Sequence, residues 1–260
     1  MSTRVVKGAP YSLEATVETT QSLADGNRLV HRQVVRVFRD AEGRTRREET
    51  LAAIGPWAAS GTPPMIVTIQ DPVSGVTYSL DPQSKVATKL PSGLPGRTTA
   101  SPGIHAVGGG VSINQSSEAA TSNIGYAAVA GSVDTVGGGD GFVTVQNGVP
   151  AQMVNPEETS ESLGKETIAG ISADGTRTST TIPANAMGNE RPIEINRERW
   201  YSPELQIILR SKQSDPRFGE TTYEVTKLDR GKPARALFEV SSDYQVRDAP
   251  VFLPPGAAPK

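Results

Sequence analysis

The sequence predicts a mainly β protein, a curved antiparallel sheet or open half-barrel with little helix. Three observations carry that prediction. Segment after segment alternates apolar and polar side chains at period two, as expected of strands with one buried face. The separators between them are Asp-Pro, Asp-Gly and similar runs, which fix φ, supply local hydrogen bonds or tolerate positive φ. Most connectors are also shorter than the dozen or so residues that parallel pairing requires, and no long amphipathic helical stretch is visible.

In chain order, residues 11–20 set Tyr11, Leu13, Ala15 and Val17 against Ser12, Glu14, Thr16 and Glu18, a half-buried strand. Ala24, Asp25, Gly26 and Asn27 turn the chain into a long second strand, 28–39, which carries Leu29, Val30, Val34, Val35, Val37 and Phe38. A third strand, 44–51, is polar on both faces. With no apolar face to pin it, it is expected at a sheet edge or beyond the core. Residues 54–64 form a Gly/Pro-containing connector around Trp57, and 65–70, 76–81 and 85–90 are short strands separated by Asp-Pro turns.

Composition changes at about residue 91. Between 91 and 157 the chain is rich in Gly, Ser, Thr and Ala, and Arg97, Glu118, Asp134 and Asp140 are the charged residues of 91–156. A mostly irregular insertion is expected, although 126–130 and 142–145 have strand character. From 158 the β pattern resumes. Strands 163–171 and 176–182 are expected to flank a turn at Ser172, Ala173, Asp174 and Gly175, and 183–192 is a connector with room for one helical turn near 185–189. A strand over 193–201 ends in Trp200 and Tyr201. The strongest hairpin signal follows: Leu205, Ile207 and Leu209 alternate, Ser214, Asp215, Pro216 and Gly219 reverse the chain, and Thr221, Tyr223 and Val225 return. Leu237, Phe238 and Val240 read as a last apolar strand, and 249–260 as a Pro-rich tail. The expected organisation is one β domain whose halves, 1–90 and 158–248, flank the insertion at 91–157.

Lys plus Arg number 26 against 28 Asp plus Glu, so the net charge of -2 exerts no global pull toward nucleic acid or anionic membrane. The absence of Cys excludes disulfides, thiolate metal sites and a cysteine nucleophile. No apolar run is long enough for a transmembrane helix. The first seven residues lack the apolar region of an export signal, which is expected to have been removed if the protein is exported. Locally, Arg32, Arg36, Arg44 and Arg46 are candidates for binding an anionic partner; the alternative is a solvated hairpin with cross-strand ion pairs.

Catalytic patterns are missing from the sequence. His31 and His105 are too few and too far apart for a histidine metal site, and zincin, phosphate-loop, dinucleotide, calcium-loop and nucleophile-elbow motifs do not occur. Glu157, Glu158 and Glu161 read as a solvated linker at the insertion boundary. No enzyme activity, cofactor or metal is expected. Trp57, Trp200, Tyr201 and Tyr223 are the candidates for lining a ligand cavity on the concave face of the sheet, unless they are core.

The order of Trp200 before a Ser-Pro turn, the strand around Leu205 to Leu209, the Gly219 turn, Tyr223 and Leu237-Phe238 before Asp243-Tyr244 resembles the outer-membrane lipoprotein carrier and sorting family, the LolA/LolB-like half-barrels. The chain is also similar to uncharacterised exported bacterial proteins carrying VKGAPYS, EGRTRRE, GTRT, NERPIEI, RWYSPEL and SDPRFGETTY runs, here beginning at Val6, Glu42, Gly175, Asn189, Arg199 and Ser214. The first resemblance implies a curved sheet enclosing an apolar cavity for acyl chains. The expected function is therefore a non-enzymatic, periplasmic or secreted binding protein for a lipid-like or hydrophobic ligand or a lipoprotein. The alternative is a structural or self-associating interaction module that uses its sheet edges and insertion.

Overall fold

The computed structural model describes residues 5–50, 64–90 and 157–249, and the backbone of four two-residue strands between them. The strands are β1 (Tyr11–Ser22), β2 (Arg28–Arg39), β3 (Thr45–Thr50), β4 (Ala53–Ile54), β5 (Trp57–Ala58), β6 (Met65–Asp71), β7 (Val76–Asp81) and β8 (Val86–Leu90). They continue with β9 (Val145–Gln146), β10 (Val149–Pro150), β11 (Glu157–Ile168), β12 (Ile171–Ile182), β13 (Ile193–Ser202), β14 (Ile207–Asp215), β15 (Gly219–Asp229) and β16 (Gln245–Asp248). Twelve of them make one sheet in the order β11-β12-β13-β14-β15-β1-β2-β3-β6-β7-β8-β16, open at β11 and β16. Every pairing in it is antiparallel except β16 with β8. The β15–β1 ladder joins the two halves of the chain. Curl shows where Arg210 of β14 meets Glu166 of β11 at 2.9 Å, although three strand spacings on a flat sheet amount to roughly 14 Å.

The sheet buries different faces in its two parts. Register partners share a face, and the unbroken register from β1 to β8 puts Leu13, Val35 and Val37 on the same side as Arg47, Thr68 and Ser79. Val67, Ile69, Leu80 and Ala87 lie on the other side, in line with Arg36 and Phe38. The larger core gathers Tyr11, Leu13, Ala15, Val35, Leu209, Tyr223 and Val225 among others. The smaller holds Val67, Ile69, Leu80 and Ala87, with Val240 and Tyr244 packed onto it. These last two belong to the segment after β15, which crosses back over the sheet. Arg46 Nη1 donates to the Leu237 carbonyl at 3.1 Å, Arg44 lies over the Phe238 ring at 5.5 Å, and Lys85 pairs with Asp243 at 2.9 Å.

Several expectations are corrected. β3 is an interior strand between β2 and β6 rather than an edge. Its charges tolerate that position because Arg46 pairs with Glu48 and Arg47 with Glu49 along the strand. The β11–β12 hairpin turns at Ala169-Gly170, both at positive φ, rather than at Ser172 to Gly175. Gly175 instead lies within β12, where a Cβ would come within 2.9 Å of the Trp200 indole nitrogen. Glu157, Glu158 and Glu161 are strand residues of β11, not linker. Leu205 and Gln206 belong to the β13–β14 turn, with Gln206 at φ 53°. Residues 235–238 form a 3-10 turn rather than a strand, and the last strand is β16. The 183–192 connector has no helical turn; the Asn189 amide holds it by donating to the Pro183 and Arg191 carbonyls. The β4–β5 pair, 53–58, falls mostly within the 54–64 connector, whereas most of the 91–157 insertion, His105 and the tail from 250 lie outside the described residues.

Candidate functional site

Across β11 to β2 the two faces of the sheet differ in chemistry, and strand alternation is the cause. On one face a single register row reads Glu161, Arg177, Glu198, Lys212, Thr222, Glu18, Arg32. Acid and base alternate along it. Arg177 donates to Glu161 and to Glu198 at 2.7 Å each, and Arg32 Nε donates to Glu18 at 2.8 Å. The carboxylates of Glu198 and then Glu161 push the Arg177 pKa up. On the same face Arg210 bridges Glu166 and Glu224, and Glu14 accepts from Lys227 and Arg36, which hold its carboxyl below the usual range, Lys227 foremost. This face is a self-compensating ion ladder.

The opposite face of the same strands carries hydroxyls, amides and two arginines, with Asp174 and Asp215 toward its ends. One row reads Ser162, Thr176, Arg199, Ser211, Tyr223, Val17, Gln33, and the next Ser160, Thr178, Arg197, Gln213, Thr221, Thr19, His31. The Thr19 and Thr221 hydroxyls meet at 3.3 Å, as their shared face requires. The Arg199 guanidinium lies 5.8 Å from the centre of the Tyr201 ring. Asp215, at the far end of β14, is 3% exposed and accepts from Arg217 at 2.7 and 2.9 Å. Burial raises its carboxyl, and the bonds from the Arg217 side chain and backbone outweigh that, leaving its pKa lowered.

A shallow groove of about 290 Å³ lies between β15, β1 and β2, lined by Leu13, Phe38 and Leu228 together with Ser12, Glu14, Arg36, Lys227 and Asp229. It is open to solvent and rimmed by the Glu14 ion cluster.

The residues singled out from sequence do not form one cluster. Tyr201 and Tyr223 lie on the hydroxyl face, with Tyr223 buried in the larger core at 1% exposure. Trp200 points to the ionic face, where the Arg210 guanidinium sits 5.1 Å above its ring. Trp57 pairs through its backbone with Ile54, and its side chain lies outside the described residues. Arg32 and Arg36 are exposed and hold Glu18 and Glu14; Arg44 and Arg46 are committed to Asp40 and Glu48 and to the returning C-terminal segment. Sequence reasoning missed Arg197 and Arg199. Their signal was the period-two run Arg197, Arg199, Tyr201 within β13, which places all three on one face.

No protein-family model matches the chain, and no curated protein matches it. Among solved structures, the sheet is similar to MucB and to LolA-superfamily proteins. MucB of Pseudomonas aeruginosa, solved in complex with MucA, matches at 10% identity and a TM-score of 0.41 over 96% of this chain and 63% of that one. This chain thus spans under two thirds of the MucB chain. A putative outer membrane lipoprotein-sorting protein domain from Vibrio parahaemolyticus matches at 6% identity and a TM-score of 0.28, over 88% of this chain and 89% of that chain. A LolA superfamily protein from Nitrosomonas europaea matches at 10% and 0.30, over 89% and 90%. At these values the likeness brings neither a ligand nor a partner to this chain, whose open sheet rests on its own strand register.

Proposed function

We propose that the chain is a binding protein, periplasmic or secreted, that presents its hydroxyl-rich sheet face to a lipid-like or hydrophobic ligand or a lipoprotein. One observation carries this reading. The row through Arg199 runs without a break from hydroxyls, past the buried Tyr223, to the half-buried Val17, so polar and apolar groups lie side by side on one face. Because Leu209, Val35 and Tyr223 are no more than 1% exposed, a ligand would lie along this face rather than enter the core. Binding is favoured over catalysis because the ladder's charges are committed to one another and the Arg199 row offers hydroxyls without a base beside them.

Native mass spectrometry of protein purified from its own host, followed by denaturing extraction, tests the proposal. A monomer carrying a discrete lipid mass supports it. A ligand-free species that takes up no lipid on incubation sinks it. Residence outside the cytoplasm is proposed on sequence likeness to exported proteins, and cell fractionation decides it.

One observation favours a second reading, a protein-interaction or self-associating module. β11 is a twelve-residue end strand, exposed along nearly its whole length, and among the described residues no strand pairs with its outer edge. A concentration-dependent oligomer that a proline at Ser160 abolishes would support it.

A further inference from the structure

We propose that Arg199 anchors an oxyanion site for a phosphate- or sulfate-type group, with Thr176 and Ser211 as its hydroxyl partners. The proposal deepens the binding reading above and rests on it. It begins from how the protein treats its other half-buried arginines. Arg44, Arg46, Arg47, Arg177, Arg210 and Arg217 each hold a carboxylate oxygen at 2.6 to 3.0 Å. Arg197 lies close enough to Asp215 to help lower its pKa. Arg199 is half-buried too, yet among the described residues no carboxylate pairs with it; Arg39, which also lacks one, instead donates to the Ala9 and Leu205 carbonyls at 2.9 and 2.6 Å. Asp174, diagonal to it on β12, is engaged by Lys165 at 3.4 Å.

A partly desolvated cation without a counter-ion is costly, and an anion arriving from solution offsets that cost. The surroundings suit one. Thr176 and Ser211 are the direct register partners of Arg199 on its two sides, and cross-strand partners stand about 5 Å apart at Cβ. Hydroxyls that close can donate to the same oxyanion that a guanidinium fork grips in two places. Tyr201, two residues along the strand, offers its ring to the guanidinium and steadies it. The ligand is thus a group with at least three oxygens and negative charge, either a free oxyanion or the head of an amphiphile whose chain lies along the same sheet face.

Titration calorimetry on the full chain distinguishes these cases, using inorganic phosphate, dodecyl phosphate and the neutral dodecyl maltoside as probes. The proteins are wild type, Arg199→Gln, Arg199→Lys and, as an opposite-face control, Lys212→Gln, which removes a cation of the ionic face. A hydrogen-bonded charge is worth enough that Arg199→Gln should weaken dodecyl phosphate about tenfold or more. Arg199→Lys should recover part of the loss, and Lys212→Gln should bind as wild type does. Equal per-site affinity for inorganic and dodecyl phosphate assigns a free oxyanion; tighter binding of the ester assigns a headgroup. If Arg199→Gln binds dodecyl phosphate as wild type does, the oxyanion site is overturned, while retained binding of the maltoside leaves the lipid-like reading standing. If no amphiphile or phosphate binds, both fall. Should Arg199→Gln melt early, the Thr176→Val, Ser211→Ala pair replaces it: weaker phosphate binding supports the site, and unchanged binding overturns it.

Discussion

The two cores of this sheet are held in different ways. The larger draws its buried side chains from β1, β2, β11, β12, β14 and β15 and from the turn before β14, so neighbouring strands and their connections cover one another. The smaller has four buried residues on three short strands, and Val240 and Tyr244 of a segment arriving from beyond β15 pack onto it. Both are made by period-two alternation, but only the first is closed by its own hairpins. The lesson is that β6 to β8 depend on a distant part of the chain, while β1 and β15 do not depend on β6 to β8.

Mutations can break that comparison. Tyr223→Ala, which empties the middle of the larger core, should cost about 3–5 kcal/mol and lower the melting temperature of the whole protein. Ile69→Ala in the smaller core should cost about 2–5 kcal/mol locally. By hydrogen exchange its effect should appear in β6 to β8 and the 235–249 segment while β1 and β15 keep their protection. Uniform loss of protection in both variants would show that the sheet unfolds as one unit.

Asp215→Asn should have a smaller effect, about 1–3 kcal/mol, because it removes the partner of Arg217 at a buried turn. Its pH dependence has a definite sign. The folded pKa lies below the ordinary 3.8, so the contribution is complete above that value and is lost as pH falls through the folded pKa. Chemical denaturation of wild type and variant between pH 7 and 2 should therefore give curves that converge at the acid end. Parallel curves would mean that the pair contributes no linkage.

Much of this was legible in the sequence, and the misses share a cause. Tyr11, Leu13 and Ala15 announced a strand and the inward face that the structure shows, because a single face was buried. β3 was misplaced because Arg46, Glu48, Arg47 and Glu49 look unburiable one at a time, and their pairing along the strand neutralises them. The β11–β12 turn was misplaced because Ala169 takes a positive φ, while Ser172 to Gly175 imitates a turn inside a strand. The Arg199 row was invisible because it is assembled from strands adjacent only in the fold. Thr176, Arg199 and Ser211 carry no joint signal until register aligns them.

The smallest predicted effect concerns the ion ladder. Arg32 is 69% exposed, and its partner Glu18 is 35% exposed. Water and salt screen such a pair, so Arg32→Gln should change stability by no more than about 0.5 kcal/mol. Glu198→Gln, deeper in the same row with a side chain 20% exposed, should cost more, since Arg177 would then rely on Glu161 alone. Urea denaturation at low and at high salt measures both. A difference between the two variants that shrinks with salt would show that the ladder holds the sheet more firmly at β13 than at β2. Equal costs would mean that the ladder is only a solvated surface and that its position across the sheet does not matter.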